Sequence, residues 1–153
     1  VIENNQYAMG TSVNRASVED QLYRRGESFR IPGIQVDGMD VLAVRGAAEV
    51  ALEWVRSGKG PILLEMKTYR YRGHSMSDPA KYRSRDEVQA VKENSDPIDG
   101  AKEQLAAMGV SEDEMKSIEK EIRAIVNAAA EFAENAPEPS LNELFTDILV
   151  ESY

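Results

Sequence analysis

Short apolar runs alternate with helix-compatible stretches in the first half of the chain. Residues 1–3 look like the end of a strand that begins upstream, so we expect the chain to be a fragment. Residues 33–38 and 62–66 predict two further strands, the second continuing to Tyr71. The stretch between them has helical periodicity, and residues 16–29 have a polar composition that a helix would also accept. Strand, helix and strand in this order, with mostly apolar strands, indicate an α/β fold with a parallel sheet.

Capping residues mark several predicted helix starts. Asp40 can cap the helix between the two strands, and Asp96, followed by proline, can cap another. Three serines precede a glutamate at the spacing of a capping box: Ser84 with Glu87, Ser111 with Glu114, and Ser140 with Glu143.

One apolar stripe runs along the charged helix predicted after Glu112. Its members recur every three or four positions: Met115, Ile118, Ile122, Ile125, Ala129 and Phe132. The stripe could pack on the core of its own domain or meet another subunit, and the pattern leaves both open.

Composition limits the possible functions. The 153 residues include no cysteine, which excludes disulfides, thiolate metal sites and cysteine nucleophiles. No apolar run reaches the roughly 18 residues of a membrane span. The net charge of −9 is concentrated in residues 84–153, which hold 6 basic and 17 acidic residues. We therefore expect neither nucleic acid nor a membrane as a partner.

Two consecutive asparagines, Asn4 and Asn5, follow the first predicted strand. Open parallel sheets bind ligands beyond the carboxyl ends of their strands. Amide oxygens at that edge are hard donors suited to magnesium on a diphosphate. Asparagine pairs are also common in ordinary turns, so the pair alone is consistent with either role.

The only histidine, His74, lies where the last predicted strand enters a loop rich in Gly, Ser, Asp and Pro. A histidine near arginine and aspartate can exchange protons near neutral pH. A lone loop histidine can also be incidental. The neighbouring Ser75 has neither the glycine pattern of a nucleophile elbow nor a second histidine to activate it.

Residues 69–72 alternate tyrosine and arginine, which would place the two types on opposite faces of a strand. Such a strand could contact single-stranded nucleic acid. In an acidic chain, arginines that order an anionic cofactor or the following loop are the better interpretation.

Taken together, these segments resemble the alpha subunits of thiamine-diphosphate-dependent 2-oxo acid dehydrogenases, pyruvate dehydrogenase above all. The likeness covers nearly the whole chain, and the segment around His74 is its most specific part. It runs through residues 3–12, 24–26, 31–33, 36–40, 60–65, 68–79, 82–83 and 95–98, and more loosely 137–139.

The resemblance implies a role for each candidate residue. Asn5 would bind magnesium through its side chain and Tyr7 through its main-chain carbonyl, with Met9 also contacting thiamine diphosphate. A third protein ligand, an aspartate about 30 residues upstream of Asn5, would complete the metal site. His74 would contact the cofactor and assist proton transfer at the mouth of the active site. Four residues would order the loop that carries it: Arg70, Ser75, Asp78 and Tyr82.

The resemblance also implies the architecture and the partners. The fold would be a three-layer αβα thiamine-diphosphate-binding domain, with residues 1–83 its C-terminal part. Residues 84–153 would form helices that pack on the domain and on partner subunits. The intact enzyme would be a heterotetramer of two alpha and two beta chains. It would decarboxylate pyruvate oxidatively and acetylate lipoyl domains of the dihydrolipoyl acetyltransferase, which feeds acetyl-CoA formation.

Several alternatives stay open. Branched-chain 2-oxo acid and acetoin dehydrogenases are the other members to consider, and a non-catalytic interaction module is the other class. We expect a bacterial, cytoplasmic enzyme, with the mitochondrial matrix as the alternative. Ser75, and more distantly Ser12, match positions phosphorylated in mitochondrial relatives, but a further serine of that loop is missing here. The 153 residues by themselves are expected to be inactive.

Overall fold

Three parallel strands form the central sheet of a computed structural model that describes residues 1–148. The strands are β1 (Ile2–Asn4), β4 (Gly33–Asp37) and β5 (Leu63–Lys67), in the order β1-β5-β4. Lys67 lies opposite both Asn4 and Asp37, so all three strands end at the same edge. The predicted parallel α/β arrangement is confirmed.

The helix α2 (Val41–Arg56) connects β4 to β5 and packs against both strands. Asp40 caps it as predicted, because its carboxylate accepts the N–H groups of Leu42 and Ala43 at 2.8 and 3.2 Å. The buried apolar core lies between this helix and the sheet and includes Val36, Ala51 and Leu64.

The strand β5 ends four residues earlier than predicted. Its last ladder bonds run from the N–H of Gly38 to the carbonyl of Lys67, at 2.8 Å, and from the N–H of Thr68 to the carbonyl of Asn4, at 2.9 Å. Beyond Thr68 the chain leaves the sheet, so Tyr69–Arg72 do not alternate across a strand. The prediction of a strand up to Tyr71 is therefore wrong.

A small antiparallel hairpin follows β1 and was not predicted. It consists of β2 (Tyr7–Ala8) and β3 (Thr11–Ser12), joined by a two-residue turn. Only one short α-helix, α1 (Val13–Ala16), comes next, and a 3-10 helix (Leu22–Phe29) replaces most of the helix that composition allowed over residues 16–29.

Three longer helices occupy the second half: α3 (Arg85–Ser95), α4 (Pro97–Ala107) and α5 (Glu112–Asn135). Asp96 caps α4 as predicted, accepting the Ile98 N–H at 2.9 Å. Both hydrogen bonds of the capping box form at Ser111.

Two of the predicted capping boxes are not complete. Ser84 accepts the N–H of Glu87 at 3.0 Å, but the Glu87 carboxylate instead accepts the hydroxyl of Tyr69 at 2.8 Å. Ser140 makes no side-chain cap on the 3-10 helix Leu141–Phe145. The carboxylate of Glu143 accepts the hydroxyl of Thr146 at 2.8 Å instead.

The chain divides into two compact units, residues 1–108 and a second that begins at Gly109. In the second, four residues of the apolar stripe of α5 are half or more exposed, from 50% at Ile118 to 77% at Phe132, while Met115 is partly buried. The predicted boundary between residues 83 and 84 stays a prediction, and the last five residues of that helical region lie outside the described residues. No helix within residues 1–148 is long and apolar enough to cross a membrane.

Candidate functional site

The sheet brings the two candidate segments to one edge. Because β1 and β5 are parallel neighbours that end opposite each other, the turn containing Asn5 and the segment leading to His74 both start there. The bond from the Thr68 N–H to the Asn4 carbonyl joins the two segments at their first residues. This edge is where open parallel sheets bind ligands.

The turn after β1, residues 4–7, is held in an unusual conformation. Gln6 has a φ of +72°, in the left-handed region that residues other than glycine rarely adopt. Its N–H donates to Asn4 Oδ1 at 3.1 Å, and its side-chain amide donates to the Asn4 carbonyl at 3.3 Å. The N–H of Val13 binds the Gln6 carbonyl at 2.9 Å. Three hydrogen bonds therefore fix one residue whose backbone alone would prefer another conformation.

The side-chain amide oxygen of Asn5 lies within the same turn. It accepts the N–H of Tyr7 at 3.1 Å, which leaves its second lone pair for another partner. Amide and main-chain carbonyl oxygens are hard donors of the kind that magnesium prefers in proteins. The donor chemistry of Asn5 and Tyr7 therefore fits magnesium, and within residues 1–148 no cluster of three or more His, Cys, Asp or Glu side chains competes for a metal.

A buried carboxylate lies directly beneath this turn. Glu65, in the middle of β5, is fully buried. It accepts hydrogen bonds from Asn4 Nδ2 at 2.6 Å, the Tyr23 N–H at 3.0 Å and Gln35 Nε2 at 3.2 Å. Burial alone would raise the pKa of Glu65, but these hydrogen bonds outweigh it and the pKa is lowered. Glu65 is thus an ionised acceptor, and sequence reasoning missed it although a glutamate inside an apolar strand was a visible signal.

The hairpin packs against the loop that carries His74. The rings of Tyr7 and Tyr82 lie 5.1 Å apart, centroid to centroid. A Cβ on Gly10 would come within 2.9 Å of the Tyr82 ring, so glycine permits this close approach. Met9 lies at the tip of the hairpin and is 64% exposed. Its predicted contact with a cofactor stays a prediction.

Asp78 organises the His74 loop through three hydrogen bonds. Its carboxylate accepts the His74 N–H at 2.7 Å, the Ala80 N–H at 2.8 Å and the Tyr82 hydroxyl at 2.9 Å. The main-chain bonds from His74 and then Ala80 hold the pKa of Asp78 below its usual range, and the bond from Tyr82 adds to this. A Cβ on Gly73 would lie 2.7 Å from the Asp78 carbonyl oxygen, so the loop requires glycine there.

His74 itself is exposed at the surface of the loop. Its Nδ1 lies 3.4 Å from Arg70 Nη1. A guanidinium only donates, so Nδ1 accepts, and in the neutral ring the proton is on Nε2. Ser75 is also exposed, and its hydroxyl lies 3.0 Å from that of Ser77. Arg70, Asp78 and Tyr82 therefore lie in one network with His74, whereas the contacts of Ser75 stay local.

Arg83 joins the loop to the hairpin, and sequence reasoning gave it no role. Its guanidinium donates to the main-chain carbonyls of Arg70 and, at 2.7 Å, Arg72. It also lies 5.1 to 5.7 Å from the ring centroids of Tyr69, Tyr7 and Tyr82, within the range of cation–π attraction. One side chain thus holds both ends of the His74 loop against Tyr7.

Two clefts in the first unit differ in charge. One, of about 220 Å³, lies beside the turn and is lined by Gln6, Tyr7, Ser12, Val13, Asn14, Tyr69 and Glu87. The other, of about 240 Å³, lies between the end of β4 and helices α3 and α4, and is lined by six carboxylates: Asp37, Asp40, Glu93, Asp96, Asp99 and Glu103. An anionic diphosphate would be repelled by the second cleft.

Comparison with known proteins gives a consistent family match. The family described as dehydrogenase E1 component matches residues 1–142. The chain is 61% identical to the pyruvate dehydrogenase E1 component subunit alpha of Zymomonas mobilis, over all of this chain and 43% of that protein. It is 61% identical to the protein of the same name from Rhizobium meliloti, over 98% of this chain and 43% of that protein.

A mitochondrial relative matches over nearly the same region. The somatic mitochondrial pyruvate dehydrogenase E1 component subunit alpha of Bos taurus is 51% identical, over 94% of this chain and 37% of that protein. The chain therefore spans less than half the length of these curated relatives.

Proposed function

Since the chain belongs to the dehydrogenase E1 component family, we propose that it is part of the alpha subunit of a thiamine-diphosphate-dependent pyruvate dehydrogenase. Its parallel sheet would belong to the three-layer αβα domain that binds the cofactor. The observation that carries the proposal is the convergence of the Asn5 turn and the His74 loop, through the contact of Tyr7 with Tyr82 and the bonds of Asp78.

Asn5 and Tyr7 would hold the magnesium ion that binds the diphosphate. Both offer oxygen donors at the carboxyl edge of the sheet, and Met9 at the hairpin tip would contact the cofactor. Thiamine diphosphate, when bound, supplies the nucleophilic carbon and the electron sink that decarboxylation of a 2-oxo acid requires. The chain's own contribution is to position the metal and to exclude alternative conformations of the turn.

His74 would carry a proton at Nε2 while Arg70 occupies Nδ1. An exposed imidazole on an ordered loop suits transfer to a bulky substrate, because the proton is accessible from solvent and its position is fixed. A lipoyl group carried by another protein is such a substrate. The hydrogen bonds of Asp78 keep the loop in the conformation that presents His74, and Arg83 and Tyr82 hold that loop beside Tyr7.

The partners follow from the same family. We propose a beta subunit in a heterotetramer of two alpha and two beta chains, and the lipoyl domain of a dihydrolipoyl acetyltransferase. The exposed apolar stripe of α5 supports contact with another subunit, since an exposed stripe of this length is typical of an interface. Residues 84–153 would provide such contacts. The structure describes residues 84–148 of this region, and most of these are helical.

Pyruvate is the preferred substrate because the relatives described above carry that name and are up to 61% identical. None of the relatives described above carries the name of a branched-chain 2-oxo acid or acetoin dehydrogenase. Two of the three relatives are bacterial, which favours the cytoplasm over the mitochondrial matrix as the compartment.

The test uses the full-length alpha chain purified with its beta chain. Pyruvate should be oxidised and lipoyl domains acetylated, with branched-chain 2-oxo acids much poorer substrates. His74→Ala should reduce acetylation of lipoyl domains far more than it weakens cofactor binding, measured by titration of the apoenzyme. Equal loss of both would contradict the role of His74, and turnover of branched-chain acids faster than pyruvate would contradict the substrate.

A further inference from the structure

The buried carboxylate of Glu65 determines which way the amide of Asn4 points. An ionised carboxylate only accepts hydrogen bonds, so the nitrogen of the Asn4 amide faces Glu65, at 2.6 Å. The amide oxygen must then face the opposite way, where it accepts the N–H of Gln6 at 3.1 Å. With the amide reversed, an oxygen would oppose the carboxylate and an NH₂ group would oppose the Gln6 N–H.

The orientation of Asn4 in turn supports the left-handed conformation of Gln6. Three hydrogen bonds of Asn4 meet at this turn: its Oδ1 takes the Gln6 N–H, and its carbonyl takes the Gln6 side chain and the Thr68 N–H. A residue with a φ of +72° holds that conformation only where its surroundings determine it. The Gln6 conformation sets the direction of the chain from Asn5 to Tyr7.

We propose that Glu65 and Asn4 are positioning residues for magnesium, acting through the turn that presents Asn5 Oδ1 and the Tyr7 carbonyl. The inference rests on the proposed function, because it takes Asn5 and Tyr7 as the metal ligands. Neither Glu65 nor Asn4 would itself be a ligand of the ion. Both residues are buried, with 0% exposure for Glu65 and 4% for Asn4, and they fix the conformation of the turn that carries Asn5 and Tyr7.

The experiment measures magnesium affinity in the full-length enzyme with its beta chain. Magnesium is titrated calorimetrically into apoenzyme saturated with thiamine diphosphate, and the unfolding midpoint is recorded in parallel. Glu65→Gln and Asn4→Ala should each weaken magnesium binding by about 10- to 100-fold, as loss of a partner behind a metal ligand does. At saturating magnesium, the KM for pyruvate should change little.

A matched control separates positioning from stability. Gln35→Ala removes another hydrogen bond of Glu65, at 3.2 Å, on the side away from the turn. It should lower the unfolding midpoint but leave magnesium affinity within about twofold of the parent. The double variant Glu65→Gln with Asn4→Asp restores the bond with donor and acceptor exchanged, and should recover most of the lost affinity.

Each outcome decides the proposal. If Glu65→Gln and Asn4→Ala leave magnesium affinity unchanged, or if Gln35→Ala weakens it as much, the positioning role is overturned; failure of the double variant to recover affinity overturns it too. Should Glu65→Gln fail to assemble, Asn4→Ala decides alone, because it keeps the other two bonds of Glu65. Asn5→Ala tests the premise. If this variant still binds magnesium normally, the proposed function itself fails. If Asn5→Ala loses magnesium binding but Asn4→Ala keeps the affinity of the parent, only the positioning role is rejected.

Discussion

Two carboxylates, Glu65 and Asp78, each accept three hydrogen bonds, yet they hold different parts of the molecule. Glu65 is fully buried in a strand, and its donors come from three separate elements: Asn4, Tyr23 and Gln35. The donors of Asp78 come from positions within four residues of it along the chain. Long-range bonds to a buried group tie the fold together, whereas local bonds to a loop carboxylate order only that loop.

The largest expected effect is on global stability when Glu65 is replaced. Glu65→Ala would leave the buried Asn4 amide and the Tyr23 N–H without an acceptor, which should cost about 2–4 kcal/mol of unfolding free energy. Denaturant unfolding of the full-length alpha chain with its beta partner measures this. Glu53→Ala, on the exposed side of α2, is the control and should change the unfolding free energy little. If Glu65→Ala loses no more unfolding free energy than Glu53→Ala, the role of Glu65 in holding the fold together is contradicted.

Replacing Asp78 should open the His74 loop without unfolding the domain. In Asp78→Ala, the N–H groups of His74 and Ala80 lose their acceptor, and the exposed tryptic sites of the loop can more readily adopt the extended conformation that a protease binds. Cleavage after Arg72 or Lys81 should be faster by about 10-fold, while the unfolding midpoint changes far less than in Glu65→Ala. The rate of limited trypsin digestion, followed by mass spectrometry, checks this.

The control for the loop is Asp20→Ala, which changes an exposed aspartate elsewhere in the first unit. Its digestion rate should match the parent. If Asp78→Ala instead lowers the unfolding midpoint as far as Glu65→Ala does, the contrast between long-range and local carboxylates is lost.

A smaller effect is expected from Arg83→Lys, which keeps the positive charge and the tryptic site. Lysine cannot donate to the carbonyls of Arg70 and Arg72 as a fork, so part of the loop's attachment to Tyr7 is lost. Loop cleavage should be faster by about threefold, between the parent and Asp78→Ala. Arg85→Lys, an exposed exchange beyond the two measured sites, should leave cleavage unchanged, and a similar rate in both variants would remove Arg83 from the network.

The sequence predicted the features that depend on local patterns. The strands β1 and β4, the helix α2 and its cap at Asp40 all followed from periodicity and capping residues. The early end of β5 did not, because it depends on contacts far along the chain: Arg83 binds the carbonyls of Arg70 and Arg72 outside the sheet. The hairpin depends equally on a distant partner, the Tyr82 ring against Gly10.

The candidate site shows the same division. The resemblance singled out His74 and three residues that the structure joins to it, namely Arg70, Asp78 and Tyr82. The resemblance could not identify Glu65 as a residue that supports the turn. Glu65 does so through its hydrogen bond with Asn4, which lies 61 residues away along the chain. Pairings of this kind are a property of the sheet register, which short patterns do not contain.

The smallest expected effect is a pH dependence confined to the His74 loop. Hydrogen bonds from His74 and Ala80 lower the pKa of Asp78 in the folded loop, so the ionised form favours order. This contribution is complete above the ordinary aspartate pKa of about 4 and is lost as the pH falls through the lowered folded value. Protection of the loop amides from hydrogen exchange, corrected for the intrinsic rate, should therefore stay constant from neutral pH to about 4 and decline below it. In Asp78→Asn the protection should be weaker and should lack this decline, whereas a decline that begins near pH 6 would assign loop order to another titrating group.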